Sequence, residues 1–138
     1  MYSVHAEAIF NSAHFLENYN GKCKTIHGHN WKIVVEVQSD KLHNDMVMDF
    51  KDLKNYLKEI ENSFDHKLIV KEGSLKDNTI KCLEEEGFIL SIVEFNTTAE
   101  NFAKHIYYIL KNKYNINVKK VDIYETDNNK ASYWEEIN

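Results

Sequence analysis

The side chains best suited to chemistry lie in one heptad, Cys23-Lys24-Thr25-Ile26-His27-Gly28-His29, where a thiol stands four residues ahead of a pair of imidazoles. A His-x-His pair in an extended segment turns both rings to the same face, because strand side chains alternate. That geometry offers two ligands to one metal ion, with a thiol close enough to act on whatever the metal holds. Upstream, His14 offers a third imidazole, followed by an apolar Phe15-Leu16 anchor. If His14, His27 and His29 meet, they make a three-histidine site with an open fourth position, the form of a catalytic zinc site. Ligand type alone also admits copper, nickel or iron. Such a metal does Lewis-acid work on a bound oxygen.

Cys23 sits in a polar loop, Gly21-Lys22-Cys23-Lys24, where flanking lysines and a metal cation would favour the thiolate. A thiolate there can be a nucleophile or a general base. The other cysteine, Cys82, stands between Ile80 and Leu83 on a helical pattern and reads as packing. Asp65-His66 could be a base with its orienting carboxylate. Adjacent residues do not face each other on a helix or strand, so that pairing needs a loop conformation. Glu125 ends an apolar strand and could accept two parallel N–H donors from an amidine-like heterocycle edge. Asn96-Thr97-Thr98-Ala99-Glu100-Asn101 reads as a helix start whose exposed amides could serve a ligand, although capping explains it equally well.

Positioning these groups falls to a small number of elements. Residues 2–10 alternate apolar and polar in strand fashion, and 29–39 return to a run rich in β-branched and aromatic residues. Residues 11–28 between them read as a long functional loop joining an antiparallel hairpin. Asp49 caps a helix carrying Phe50, Leu53, Tyr56, Leu57 and Ile60. A connection over 63–69 leads to a second helix at 74–86, closed by Gly87. A strand is expected at 88–95, a helix capped by Thr98, a strand over 118–125 and a short last strand over 133–137. The order points to one α+β domain, an antiparallel sheet with helices packed on one face. Such a sheet has open edges, and pairing between subunits is one way to cover them.

Composition narrows the function. At 138 residues the chain is long enough for a real core, with 43% hydrophobic and 28% charged residues, as in ordinary globular proteins. A net charge of −5 without a basic, aromatic-interleaved run argues against nucleic acid. No apolar run is long enough to span a membrane. The first residues lack a signal-peptide pattern, and two cysteines suit a reduced, cytoplasmic setting. All 17 cationic residues are lysines, so any phosphate must be met by lysines, backbone N–H groups or helix N-termini.

Taken together, Ser12-Ala13-His14, Cys23-x3-His27-Gly28-His29, Met46-Val47-Met48-Asp49-Phe50-Lys51-Asp52-Leu53, Asp65-His66-x-Leu68, Thr98-Ala99-Glu100-Asn101 and Glu125-Thr126-Asp127-Asn128 resemble the 6-pyruvoyltetrahydropterin and 6-carboxytetrahydropterin synthase family. The resemblance spans nearly the whole chain, 1–138 as a single domain. It implies the tunnelling fold (T-fold), assembled as a homohexamer of two trimeric barrels with active sites at subunit interfaces. By the same resemblance, His14, His27 and His29 would hold Zn2+, which grips the side-chain hydroxyls of 7,8-dihydroneopterin triphosphate. Cys23 would abstract the proton with Asp65 and His66 as relay, and Glu125 would anchor the pterin ring, aided by Thr98 and Glu100. The three-residue gap between Cys23 and His27 resembles the carboxy-forming members, of queuosine biosynthesis, which release acetaldehyde and triphosphate; the pyruvoyl-forming reaction is the alternative. A non-catalytic zinc- or pterin-binding scaffold is the competing class. Two departures stand out, an insertion at about 70–95 and Thr97 where many relatives carry proline.

Overall fold

In a computed structural model describing residues 1–136, the chain forms one six-stranded sheet with helices against one face. Strands β1 (Tyr2–His14) and β2 (His27–Ser39) make an unbroken antiparallel ladder running from Tyr2 opposite Ser39 to His14 opposite His27. β5 (Val118–Thr126) pairs antiparallel with β2, with a bulge between Glu36 and Val37, and β6 (Asn129–Tyr133) pairs antiparallel with β5. These four strands are the expected antiparallel sheet. On its far side two short strands, β3 (Leu68–Lys71) and β4 (Leu90–Val93), add in parallel, giving the order β4-β3-β1-β2-β5-β6. The sheet is therefore mixed, because β3 and β4 are joined by a helix and a crossover of that kind makes parallel neighbours.

Alternation along the central strands sets the core. Ala6, Phe10, Trp31, Ile33, Val35, Val121 and Ile123 all point to the helical face and are buried. Against them lie α1 (Phe50–Phe64), through Leu53, Leu57, Ile60 and Phe64, and α3 (Ala99–Tyr108), through Phe102, Ala103, Ile106 and Tyr107. The helix starts follow the capping logic: the Asp49 carboxylate accepts from the Lys51 N–H at 2.8 Å, and the Thr98 hydroxyl from the Asn101 N–H at 3.3 Å. Phe10 stacks on Trp31 at 5.8 Å between centroids and meets Phe64 at 5.4 Å and Phe102 at 6.1 Å. This aromatic knot lies directly under the site end of the sheet.

Several boundaries move. β1 runs four residues beyond the expected 2–10, so the loop shrinks to 15–26, with one 3-10 turn at Lys22–Lys24. The region 63–69, expected as a connection, yields β3 from Leu68. α2 (Asp77–Glu85) is shorter than 74–86 and buries no residue, and Gly87 follows it at a φ of 93°, the left-handed stop glycine adopts readily. Cys82 is exposed and free, contrary to the packing reading, because α2 stands clear of the core. The last strand ends at Tyr133, where the expected one began, since Thr126–Asn129 forms a tight turn that returns the chain at once. Residue 137 lies outside the described residues. None of the helices among the described residues is long and apolar enough to cross a membrane.

Candidate metal centre and active site

The β1–β2 ladder brings His14, His27 and His29 together. In register, His14 faces His27 and Ser12 faces His29, so all three rings share the helical face at one end of the sheet. Ring centroids are 4.6 Å apart for His14–His27, 5.2 Å for His14–His29 and 4.9 Å for His27–His29. One nitrogen from each ring lies within 4.8 Å of the others. All three Nε2 atoms are buried and lack a protein partner. Three buried nitrogens without partners is a costly arrangement unless something else satisfies them.

Two of the rings are oriented from behind. The His14 Nδ1 faces the Thr97 carbonyl at 2.8 Å, and the His27 Nδ1 faces the Thr25 carbonyl at 2.7 Å. A carbonyl only accepts, so both Nδ1 atoms carry the proton and both Nε2 atoms present a lone pair, the tautomer that ligates a metal. Burial is the main cause that pushes the His14 imidazole down to about 4, with the Thr97 carbonyl opposing and the His27 and His29 rings adding to the effect. His29 is also lowered, chiefly by burial, and Glu125 works in the other direction. Both rings are thus held in the neutral form that a cation requires. Trp31 closes the floor, its ring edge-on to His14 at 4.8 Å and to His29 at 5.0 Å.

Beside the triad lies a cavity of about 360 Å³ lined by His14, Cys23, Thr98, Glu100 and Glu125, together with Tyr19 and Lys130. The Leu16 N–H donates to the Cys23 carbonyl at 2.8 Å and folds the loop back so that the thiol reaches this cavity. Lys71 of β3 reaches Glu17 of the loop at 2.7 Å, so the expected insertion braces the loop from outside. Glu125 enters from the end of β5 and Thr98 and Glu100 from the first turn of α3.

Asp65 and His66 are placed differently. His66 has a φ of +56°, and this left-handed turn swings its ring back so that Nδ1 lies 2.8 Å from the Asp65 carboxylate. The pairing that regular structure forbids is thereby made by the loop. The same carboxylate accepts the Asn11 N–H at 2.8 Å, and that bond, ahead of His66, holds Asp65 below the usual carboxylate range. Neither residue lines the cavity that holds Cys23, and the His66 side chain is 78% exposed. Thr97, Thr25, Tyr19, Trp31 and Lys130 were not singled out from the sequence as site residues. The backbone carbonyls and the long-range contact of Thr97, 83 residues from His14, leave no local signal.

A family model described as 6-pyruvoyl tetrahydropterin synthase matches residues 3–136. The chain belongs to the 6-pyruvoyl tetrahydropterin synthase family. It is an enzyme of the lyase class. A 6-carboxy-5,6,7,8-tetrahydropterin synthase from Haemophilus influenzae is 31% identical over 98% of this chain and 100% of its own length. The Aquifex aeolicus protein of the same name is 38% identical over 83% of this chain and 77% of its own. Among solved structures, an uncharacterized protein from Wolinella succinogenes superposes with a TM-score of 0.79 at 20% identity, covering 98% of each chain. A catalytic-residue mutant of Plasmodium vivax 6-pyruvoyltetrahydropterin synthase superposes at 0.72 with 18% identity, covering 99% of this chain and 98% of its own. These two likenesses establish the T-fold.

Proposed function

We propose that the chain is a zinc-dependent 6-carboxy-5,6,7,8-tetrahydropterin synthase. It would convert 7,8-dihydroneopterin triphosphate, with uptake of water, to 6-carboxytetrahydropterin, acetaldehyde and triphosphate. The observation that carries the reading is the set of three buried, partnerless Nε2 atoms beside a cavity that His14, Cys23 and Glu125 line. The residues fit zinc: three imidazoles with buried, unpartnered Nε2 atoms, two of them fixed in the ligating tautomer, leave a position open for substrate. When bound, the ion supplies Lewis-acid polarisation of side-chain oxygens.

The chain's own groups then divide the work. Glu125 takes paired N–H donors of the pterin edge and fixes the ring. Thr98 and Glu100, at the N-terminus of α3, complete that hold. Cys23 removes the side-chain proton, and the Asp65-His66 pair relays it, with Asp65 orienting the imidazole. Because that pair does not line the cavity of its own chain, it serves a neighbouring subunit's Cys23. A homohexamer with interfacial sites, a cytoplasmic location and a place in queuosine biosynthesis go with this reading. So does 1–138 as one domain with 70–95 as an insertion.

The 6-carboxy names of the two relatives and the three-residue Cys23–His27 gap favour the carboxy-forming reaction over pyruvoyl formation. Incubation of the zinc-loaded protein with 7,8-dihydroneopterin triphosphate, followed by mass spectrometry and an aldehyde assay, tests it. Acetaldehyde and a carboxypterin are expected. Triphosphate release with a pyruvoyl product and no acetaldehyde would replace the proposal with the alternative.

A further inference from the structure

The three rings of the triad are supported unequally. His27 has a single acceptor at Nδ1, the Thr25 carbonyl. His14 has two at Nδ1, both from Thr97: the carbonyl at 2.8 Å and the hydroxyl oxygen at 3.1 Å. That hydroxyl also lies 3.0 Å from the Phe15 carbonyl. A hydroxyl has one proton to give, and the Phe15 carbonyl can only accept, so the proton goes there. The lone pairs of the hydroxyl oxygen are then left for the Nδ1–H of His14. Thr97 is fully buried, so water does not compete for these bonds.

We propose that Thr97 is a positioning residue of the metal centre: its carbonyl sets the His14 tautomer, and its hydroxyl, as a second acceptor, fixes the orientation of the ring. The same side chain ties the start of the Cys23 loop, through Phe15, to the residue preceding the cap of α3. One hydroxyl thus sets the metal ligand relative to the helix turn carrying Thr98 and Glu100. The inference rests on the metal reading of the triad. A packing role is the alternative, and Thr97→Val separates the two. It keeps the β-branched shape and the backbone carbonyl but removes the hydroxyl, and Thr97→Ser restores the hydroxyl while losing the methyl group.

The test is Zn2+ affinity of the metal-free protein, measured by competition with a chromophoric chelator. Removal of such a supporting contact typically weakens metal binding by about 10–100-fold, and that loss is expected for Thr97→Val, with Thr97→Ser close to the unsubstituted chain. Equal affinity for Thr97→Val and the unsubstituted chain overturns the inference while leaving the metal reading intact. Absence of Zn2+ binding by the unsubstituted chain overturns the metal reading and this inference together. A second measurement needs no substitution: a long-range ¹⁵N–¹H spectrum of the metal-free protein is expected to show His14 protonated at Nδ1. Protonation at Nε2 instead overturns the inference, whatever the variants do.

Discussion

His14 stands directly opposite His27 across the β1–β2 ladder, with ring centroids 4.6 Å apart. The metal centre is thus a property of strand register: a slip of one residue would turn one ring to the other face. The register is set elsewhere, by the buried pair Phe10 and Trp31, which also face each other on the ladder. Fold and metal site are therefore separable. Chelation of a metal-loaded protein is expected to abolish activity while leaving far-UV circular dichroism and a cooperative melt in place. Unfolding on chelation would mean the ion is structural.

Trp31 gives that binding event an optical readout. Its ring is fully buried and edge-on to both His14 and His29, whereas the chain's other tryptophan, Trp134, is exposed. Titration of the metal-free protein with Zn2+ should change the tryptophan emission, and Trp31→Phe should remove the change. Trp134→Phe should leave it. A change that survives Trp31→Phe would place the responding site elsewhere.

Cys23 lines the cavity as the only thiol there, held by the Leu16 N–H on its carbonyl. As general base it should contribute about 10²–10⁴-fold to turnover. Cys23→Ala is expected to lose that much in kcat, with KM and zinc content little changed, because neither the rings nor Glu125 depend on the thiol. A fall confined to KM would make Cys23 a binding group.

What the sequence made legible follows the range of the forces involved. Alternation along β1 and β2 is local, so the shared face of His27 and His29 could be read directly, and His14 joined them once β1 was extended. Caps are local too, and Asp49 and Thr98 act as expected. The four-residue strands β3 and β4 were harder, since their pairing depends on a crossover helix and on the open side of β1 at Ala13. The β5–β6 turn is built on Asp127-Asn128, which lacks the glycine of the strongest hairpin signals, so the sequence does not announce it. The contacts of Thr97 leave no trace in the sequence, because its partners, His14 and Phe15, are more than 80 residues away and no periodicity reports on them.

Asp65 makes a pH dependence with a definite sign. The Asn11 N–H first, and His66 next, hold its folded-state pKa below the ordinary 3.8. A depressed carboxylate contributes stability above its unfolded pKa and loses it as pH falls through the folded value. The unsubstituted chain should therefore exceed Asp65→Asn in denaturation midpoint near neutral pH. The difference should shrink below about pH 3.8. A gap that persists unchanged into strong acid would assign the effect to shape and not to charge.

The placement of His66 leads to the last expectation. In one chain its ring is 78% exposed and hydrogen-bonded to Asp65, outside the cavity that Cys23 lines. An exposed imidazole with a fixed carboxylate behind it is a prepared proton carrier only if a partner brings a reacting group to it. If neighbouring subunits supply that group, Cys23→Ala and His66→Ala chains are each inactive alone. Unfolding and refolding the two together then creates interfaces where an intact Cys23 meets an intact His66. A statistical mixture should regain a substantial fraction of the native rate, readable as acetaldehyde released per subunit. If mixing restores nothing although the mixed oligomers form, His66 and Cys23 act within one chain or His66 takes no part, and the interfacial relay falls.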